Sequence, residues 1–289
     1  METPLSEAEE ERLRHASFVI AKLRLVYVET PKVACTSFKH LVATLGDAHP
    51  MEWLRQSAMG MQTPAQAIHD RALISLPSLP DLAPEERQNL LENKNVLRFC
   101  IVRNPYDRLA SAWADRLLMH TISPLAPVVS HLGLPRYEAD WSYLRARFAE
   151  FVDHLYRHEA PDFSNHHWQK MTELLLPARL RYNLIIRLED FSTGLARLIH
   201  HVERQGVTWP GLPRFNETPL KGARHLYTPA TARKVVQMYA DDFAAFGYDL
   251  QFHPPREALP PLPSPSFVRA MQERNQRILH LSLRLRGMT

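Results

Sequence analysis

The stretch 25–45 constrains the fold most, because its pattern is that of a buried strand, a tight loop and a helix. Residues 25–28 form a short apolar run with β-branched and aromatic members, which is typical of a buried strand. Pro31 ends this strand, since proline cannot donate to a sheet ladder. From Phe38 onward, apolar residues recur at i, i+3, i+4 and i+7, which is the spacing of one helix face.

The loop 31–37 has the features of an anion site. A strand that leads directly into a helix directs several backbone N–H groups at one place, and Lys32 adds a full positive charge. The hydroxyl of Thr36 or Ser37 can cap the helix. The loop contains no glycine and lacks the Gly-Lys-Ser/Thr ending of a nucleotide triphosphatase P-loop. Taken alone, a surface turn with an exposed lysine explains the same residues.

A second strand–turn–helix unit and a third strand predict an α/β fold. Residues 96–102 form an apolar run, and a helix is expected from near Pro105 to about residue 118. A further strand is predicted over 182–188 and a helix over 193–203. Because repeated strand–helix units build parallel sheets, we expect a P-loop-like parallel β-sheet flanked by helices.

The remaining pattern suggests one domain over 1–252 and an extension over 253–289. Helices are predicted over 7–23, from Pro84, and over 140–157, 229–246 and 266–286, with loops over 119–136 and 161–169. The extension begins with a proline-rich, semi-rigid linker and ends in a basic amphipathic helix. This helix is expected to pack on the domain or on a second subunit; a membrane-surface or partner helix is the alternative.

Composition places the chain among ordinary globular proteins. It has 289 residues, 45% of them hydrophobic, and a formal charge of +4, which does not require a nucleic-acid partner. The two cysteines, Cys35 and Cys100, cannot support a disulfide-rich scaffold. The N-terminus lacks the layout of a signal peptide, and no apolar run approaches the ~20 residues of a transmembrane segment. We therefore expect a cytoplasmic location.

The second unit also carries anion-binding chemistry. Arg103 ends the second strand and offers a guanidinium fork suited to bidentate phosphate binding. Ser111 lies two turns into the following helix and offers a hydroxyl. A surface arginine and a helix-filling serine are the simpler interpretation. Two such loops on two strand–helix units, however, describe a ligand with phosphates at both ends.

These two stretches resemble the cofactor motifs of sulfotransferases. Residues 30–39, Thr-Pro-Lys-Val-Ala-Cys-Thr-Ser-Phe-Lys, resemble the 5′-phosphosulfate loop, and residues 102–113 resemble the 3′-phosphate motif. Weaker matches follow in the family's order at 167–168, 187–191 and 239–248. The chain is most similar to the membrane-type carbohydrate sulfotransferases that act on chondroitin, dermatan and related glycans. It lacks their paired cysteines, so we expect a soluble, bacterial member.

The resemblance implies a reaction and a set of contacts. The donor would be 3′-phosphoadenylyl sulfate, and its sulfuryl group would pass in line to a hydroxyl of a glycan or another small acceptor, without a metal. The residues implied to hold the 5′-phosphosulfate are Lys32, Ala34, Cys35, Thr36, Ser37 and Phe38. Lys32 would also offset the charge that develops on the bridging oxygen. Arg103 and Ser111 would hold the 3′-phosphate, with Lys221 and Arg224 as further contacts.

The acceptor hydroxyl needs a base, and histidine titrates closest to neutrality. His69 lies in the connection between the two motifs, where related enzymes place a base, and is preferred slightly. His167, in the His-Trp match, is either the base or a substrate or cofactor contact. Glu29 and Glu189, each at the end of a strand, are weaker alternatives.

The 5′ loop departs from the family, because Ala34 stands where a glycine is common. An alanine methyl is tolerable there if φ is negative. Two other functions stay open: a nucleotide-dependent kinase on a related fold, and a non-catalytic homologue that binds the donor. A homodimer is a further possibility.

Overall fold

The computed structural model describes residues 5–48, 68–71, 74–123, 126–157, 165–215 and 219–285. The strands are β1 (Ser17–Ile20), β2 (Leu25–Val28), β3 (Leu97–Val102) and β4 (Leu184–Arg187). The α-helices are α1 (Glu7–Ala16), α2 (Cys35–Leu45), α3 (Pro84–Glu92), α4 (Pro105–Trp113), α5 (Pro127–Leu132), α6 (Trp141–Arg157), α7 (Met171–Leu175), α8 (Pro177–Leu180), α9 (Phe191–Arg204), α10 (Pro229–Met238), α11 (Ala240–Phe246) and α12 (Pro265–Leu285).

The predicted parallel sheet is confirmed. Within the described ranges, four strands form one sheet in the order β1-β2-β3-β4, and β2, β3 and β4 run parallel. Val28 pairs with Cys100, and Val102 pairs with Arg187. Because the carboxyl ends of parallel strands meet at one edge of a sheet, the loop after β2 and the turn after β3 lie at the same edge.

The helix predicted over 7–23 is wrong in its second half. Helix α1 ends at Ala16, and Ser17–Ile20 forms the edge strand β1, antiparallel to β2. A short 3₁₀ turn and Arg24, in the left-handed conformation at φ +47°, reverse the chain between the two strands. All four residues of β1 are buried, so pairing with β2 and burial outweigh continuation of the charged helix.

The chain divides into two compact units, the first made of Met1–Arg103 and Met171–Asn216. This unit contains the sheet. Its core includes the fully buried rings of Tyr27, Phe38 and Phe99, and the Tyr27 and Phe99 rings stack with centroids 4.8 Å apart. The aromatic core fixes the start of α2, and with it the loop that precedes this helix.

The second unit consists of Asn104–Lys170 and Glu217–Thr289 and is largely helical in its described part. The helix predicted over 229–246 is instead two helices, because Tyr239 leaves the helical conformation at φ −116° and ψ 23°. The hydroxyl of Tyr239 donates to the carbonyl of Trp168. This contact ties the break to the His-Trp segment.

Three further differences concern the helical parts of the chain. The helix predicted over 105–118 is present, but its last turn, Ala114–Leu118, is a π-helix. The loop predicted over 119–136 contains the short helix α5, which begins at a proline. Helices α7 and α8 had no counterpart in the prediction, because both are too short to show periodicity.

The C-terminal helix α12 is held by side-chain amides on one of its faces. Gln272, Asn275 and Gln276 donate to the carbonyl groups of residues 118–120, at 2.7, 2.7 and 3.1 Å. These carbonyls end the preceding π-helical turn and need partners. The helix therefore packs on its own unit. Among the described residues, no helix has the length and apolar character required to cross a bilayer.

Candidate active site

The loop between β2 and α2 has an unusual backbone. Lys32 and Ala34 both adopt positive φ, at +70° and +66°. Helix α2 begins at Cys35 with Ala34 as its N-cap residue, and no side chain caps it. The prediction that Thr36 or Ser37 caps the helix is therefore wrong. Both residues lie inside the first turn. The helix begins at Cys35, after the left-handed Ala34, whereas capping by Thr36 or Ser37 would have required a later start.

The condition attached to Ala34 is not met. We expected its methyl group to be tolerable at negative φ, but φ is +66° and ψ is 27°. In the left-handed region an L-residue brings Cβ close to the next carbonyl oxygen, which glycine avoids. The side chain is exposed, so crowding within the core is not the cause of strain. The strain comes from the backbone itself.

The other loop residues differ in what their side chains can contact. Thr36 and Ser37 are 6% and 5% exposed and stand in the first helical turn. Phe38 has no exposed surface and packs in the aromatic core, and its backbone N–H already donates to the carbonyl of Ala34 at 3.2 Å. Burial and the Glu29 carboxylate raise the pKa of the Cys35 thiol above its usual value. Cys35 is therefore a neutral thiol at neutral pH.

A buried ion pair supports the start of α2. Lys39 Nζ lies 2.9 Å from Glu29 Oε2, and the two side chains are 6% and 11% exposed. Lys39 Nζ also lies 3.2 Å from His69 Nδ1, and His69 Nε2 lies 3.0 Å from Thr36 Oγ1. The imidazole thus bridges two residues that are one turn apart on the helix.

Glu29 is ionised despite its burial. Desolvation raises the pKa of this carboxyl group, but the charges of Lys39 and Arg12 lower the pKa by more, so it lies below the usual 4.5. The guanidinium of Arg12 also donates to the backbone carbonyl of Glu29, at 2.8 Å. A charged carboxylate that already pairs with Lys39 is poorly suited to serve as a general base.

Glu29, Cys35 and His69 offer metal-ligand atoms that lie within 4.8 Å of one another. Two of these three residues, however, contact the Lys39 ammonium. A metal ion that bridged Glu29 and His69 would have to displace this ammonium group. Cys35 would also have to lose its proton against a raised pKa.

Arg103 links the end of β3 to the loop after β2. Its Nη1 donates to the carbonyl oxygen of Lys32 at 3.3 Å, and the side chain is half-buried. The two predicted anion-binding residues of the first unit are therefore directly connected. Ser111 is 9% exposed and lies on α4 in the second unit. Its contact with a 3′-phosphate stays a prediction.

In the second unit, His167 has a defined tautomer. The backbone N–H of His167 donates to Asn165 Oδ1 at 3.1 Å, so the amide atom at that position is the oxygen. His167 Nδ1 lies 2.9 Å from the same oxygen and must carry a hydrogen. The neutral ring then has its lone pair on Nε2, as a base requires.

Arg108 anchors the segment that carries His167. The residue is 2% exposed, and its guanidinium donates to the carbonyls of Gln169 and His166, at 2.7 and 3.1 Å. In the same unit, Arg224 makes a bidentate pair with Asp107, at 2.7 Å for both bonds. Lys221 is exposed. The guanidinium of Arg224 is thus already engaged by a carboxylate of the 3′-phosphate motif.

A family comparison covers most of the chain. The model of the Sulfotransferase family matches residues 15–249, which include the sheet, the loop before α2 and the His-Trp segment. The chain belongs to the sulfotransferase family. The resemblance seen in the motifs is thereby confirmed, and so is the expectation of a transferase of this type.

Relatives of this sulfotransferase are similar over most of its length. Carbohydrate sulfotransferase 10 of Pongo abelii is 28% identical over 265 residues, which are 85% of this chain and 69% of the relative. The Xenopus laevis protein of that name is 26% identical, with 80% and 66% covered. Carbohydrate sulfotransferase 11 of Danio rerio is 25% identical, with 78% and 65% covered. The chain thus spans about two thirds of these relatives. No solved structure matches it significantly.

The donor set of the loop fits the phosphosulfate that the family implies. The first turn of α2 presents backbone N–H groups without a side-chain cap, and Lys32 lies three residues before Cys35, the first residue of the helix. Thr36 and Ser37 add hydroxyl groups in the same turn. Such a set suits an anion with several oxygens.

Sequence reasoning missed three supporting residues, Lys39, Arg108 and Asn165. Lys39 had a usable signal, because it lies three residues after Thr36 on the same helix face. Arg108 falls within the matched 3′-phosphate motif but was assigned no role. Asn165 had no signal in the sequence, since its contact with His167 depends on the local turn geometry.

Proposed function

We propose that this sulfotransferase transfers a sulfuryl group from 3′-phosphoadenylyl sulfate to a hydroxyl group of a carbohydrate. The observation that carries the proposal is the uncapped start of α2 after Lys32, in a chain whose residues 15–249 match the family. The relatives quoted above are named carbohydrate sulfotransferases, which favours a glycan acceptor.

In this proposal the first unit holds the reactive end of the donor. Lys32, Thr36 and Ser37 bind the 5′-phosphosulfate with the backbone N–H groups of Ala34 and Cys35. Arg103 and Ser111 bind the 3′-phosphate, with Lys221 as a further contact. Arg224 keeps Asp107 as its partner and contributes to that phosphate through its charge.

The chemistry needs positioning and charge stabilisation more than covalent catalysis. The bond between sulfur and the phosphate oxygen breaks, and a bond forms between sulfur and the acceptor oxygen. The acceptor's proton passes to a base. Lys32 stabilises the negative charge that develops on the phosphate oxygen. No step in this scheme calls for a metal.

His69 and His167 are the candidates for the base. The tautomer that Asn165 imposes on His167 places a lone pair on Nε2, which supports this residue. His69 Nδ1 already accepts a hydrogen bond from the Lys39 ammonium, so its lone pair is engaged. We therefore favour His167, in contrast to the slight preference that the sequence indicated.

Location and assembly remain proposals from the sequence. Cys35 and Cys100 are both free thiols, which fits a reducing compartment such as the cytoplasm. A homodimer would be checked by light scattering of the purified protein.

The decisive experiment is transfer of radiolabelled sulfate from 3′-phosphoadenylyl sulfate to a panel of chondroitin, dermatan, glucuronides and simple alcohols. We expect labelled product with at least one glycan. Lys32→Ala should lower the rate about 10²–10³-fold, by analogy with the loss of one charge-stabilising donor. The matched control is Lys94→Ala, which removes an exposed lysine of the same unit.

A kinase and a sulfotransferase would differ in the nucleotide that stabilises them. Stabilisation by ATP with magnesium, and none by adenosine 3′,5′-bisphosphate, would refute the sulfotransferase proposal. The strained Ala34 favours one alternative specifically, a homologue that binds the donor without turnover. Donor binding without transfer to any member of the panel, including water, would support that alternative.

A further inference from the structure

Four side chains of the first unit form a hydrogen-bonded chain that ends at the anion loop. Glu29 contacts Lys39, Lys39 contacts His69, and His69 contacts Thr36, with distances of 2.9, 3.2 and 3.0 Å. Lys39 and Glu29 are 4% and 8% exposed, whereas His69 is exposed. The chain therefore connects a buried ion pair to the first turn of α2.

The direction of each hydrogen bond follows from Lys39. An ammonium group has hydrogens and no lone pair, so it donates both to Glu29 and to His69 Nδ1. Since Nδ1 accepts, the neutral imidazole carries its hydrogen on Nε2. His69 Nε2 therefore donates to Thr36 Oγ1.

The hydroxyl of Thr36 is thereby given an orientation. Its oxygen accepts from His69, so its own hydrogen is directed away from the imidazole. Building on the function proposed above, we propose that Glu29, Lys39 and His69 hold the Thr36 hydroxyl as a hydrogen-bond donor to the phosphosulfate. His69 is then a positioning residue that acts through Thr36 and does not take the acceptor's proton.

The alternative role of His69, as the base, conflicts with its hydrogen bond to Lys39. The lone pair that would receive the proton is on Nδ1, and this atom lies 3.2 Å from the Lys39 ammonium. Because Lys39 donates to this lone pair, the acceptor's proton could bind there only if that hydrogen bond were broken. A donor role needs no change in the charge of His69.

Two substitutions of His69 separate these roles. Glutamine keeps an N–H donor and a carbonyl acceptor but cannot act as a base, whereas alanine removes the donor, the acceptor and the basic nitrogen. We expect His69→Ala to weaken binding of 3′-phosphoadenylyl sulfate by about 10–100-fold, the effect of a hydrogen bond to a charged group. His69→Gln should restore most of this affinity and keep the transfer rate at saturating donor within about tenfold of the wild type.

Normal donor binding with a large loss of turnover in His69→Gln would overturn the inference. If His69 is the base, His69→Gln should bind the donor normally and lose about 10²–10⁴-fold in turnover. The control is His15→Gln, because His15 is an exposed histidine of the same unit that pairs with Glu11. Transfer is measured with chondroitin and, independently of the acceptor, as slow sulfate release to water.

A double-mutant cycle tests whether His69 acts through Thr36. Thr36→Val should weaken donor binding about as much as His69→Ala, and the double variant should be no weaker than Thr36→Val alone. Additive losses would mean that the two residues act separately, against the proposal.

Nitrogen NMR of isotope-labelled histidine tests the hydrogen-bonded chain from Glu29 to Thr36 in the protein without any ligand. His69, assigned by comparison with His69→Gln, should be neutral with its hydrogen on Nε2. The Nδ1–H tautomer or a protonated ring would overturn the proposal. If the wild type neither binds the donor nor transfers sulfate, the proposed function fails, and this measurement still decides whether the hydrogen-bonded chain exists.

Discussion

Replacing Ala34 with glycine should stabilise the first unit, although glycine usually destabilises. Ala34 is held at φ +66° and ψ 27° as the residue before α2. An L-residue in this conformation is disfavoured by about 1–2 kcal/mol. Glycine removes that strain but makes the unfolded chain more flexible, which offsets about 0.4–1 kcal/mol. The expected net gain is about 0.5–1 kcal/mol in the free energy of unfolding.

Thermal and urea unfolding, followed by circular dichroism, measure this change. For a unit of this size, about 1 kcal/mol corresponds to about 2–4 °C in Tm, so Ala34→Gly should raise Tm by about 1–4 °C. The matched control is Ala196→Gly. Ala196 is an exposed alanine inside helix α9 of the same unit, and its replacement should lower stability by about 0.5–1 kcal/mol.

The sign of the change in the free energy of unfolding decides whether the strain argument is correct. If Ala34→Gly lowers the free energy of unfolding as Ala196→Gly does, residue 34 is not held in the left-handed region and the strain argument fails. Donor titration of the same variant adds a functional readout. Removal of an exposed methyl group from the anion loop should leave the affinity for 3′-phosphoadenylyl sulfate unchanged or increase it.

Four other predictions concern buried or oriented groups. Lys39→Met leaves the buried Glu29 carboxylate without its ammonium and should destabilise by about 3–5 kcal/mol in urea unfolding; a loss below about 1 kcal/mol would contradict the buried pair. The stabilising effect of the Glu29 charge is complete above the unfolded-state pKa of 4.5 and is lost as pH falls through the lowered folded value. The stability difference between wild type and Glu29→Gln should therefore shrink in acid. Arg108→Met removes a buried guanidinium from two carbonyls and should increase hydrogen exchange over 165–170; unchanged exchange would show that other contacts hold this segment. Asn165→Ala should lower the transfer rate without changing donor affinity if His167 is the base, and an unchanged rate would argue against that role.

Several elements followed from local sequence. The strands over 25–28 and 97–102 and the helices that follow them were predictable, because apolar periodicity and proline report the conformation of a few neighbouring residues. The motif at 30–39 identified the family for the same reason. The strand β1 was missed, because its four residues become a strand only by pairing with β2.

The internal geometry of the candidate site depended on tertiary structure. The sequence determined that an anion loop with Lys32 stands between a strand and a helix. Only the fold decided that Ala34 is left-handed and that Glu29 pairs with Lys39. It also placed His69, thirty residues beyond Lys39, against that pair. Local patterns cannot predict such contacts, because they form between groups that packing brings together from separate parts of the chain.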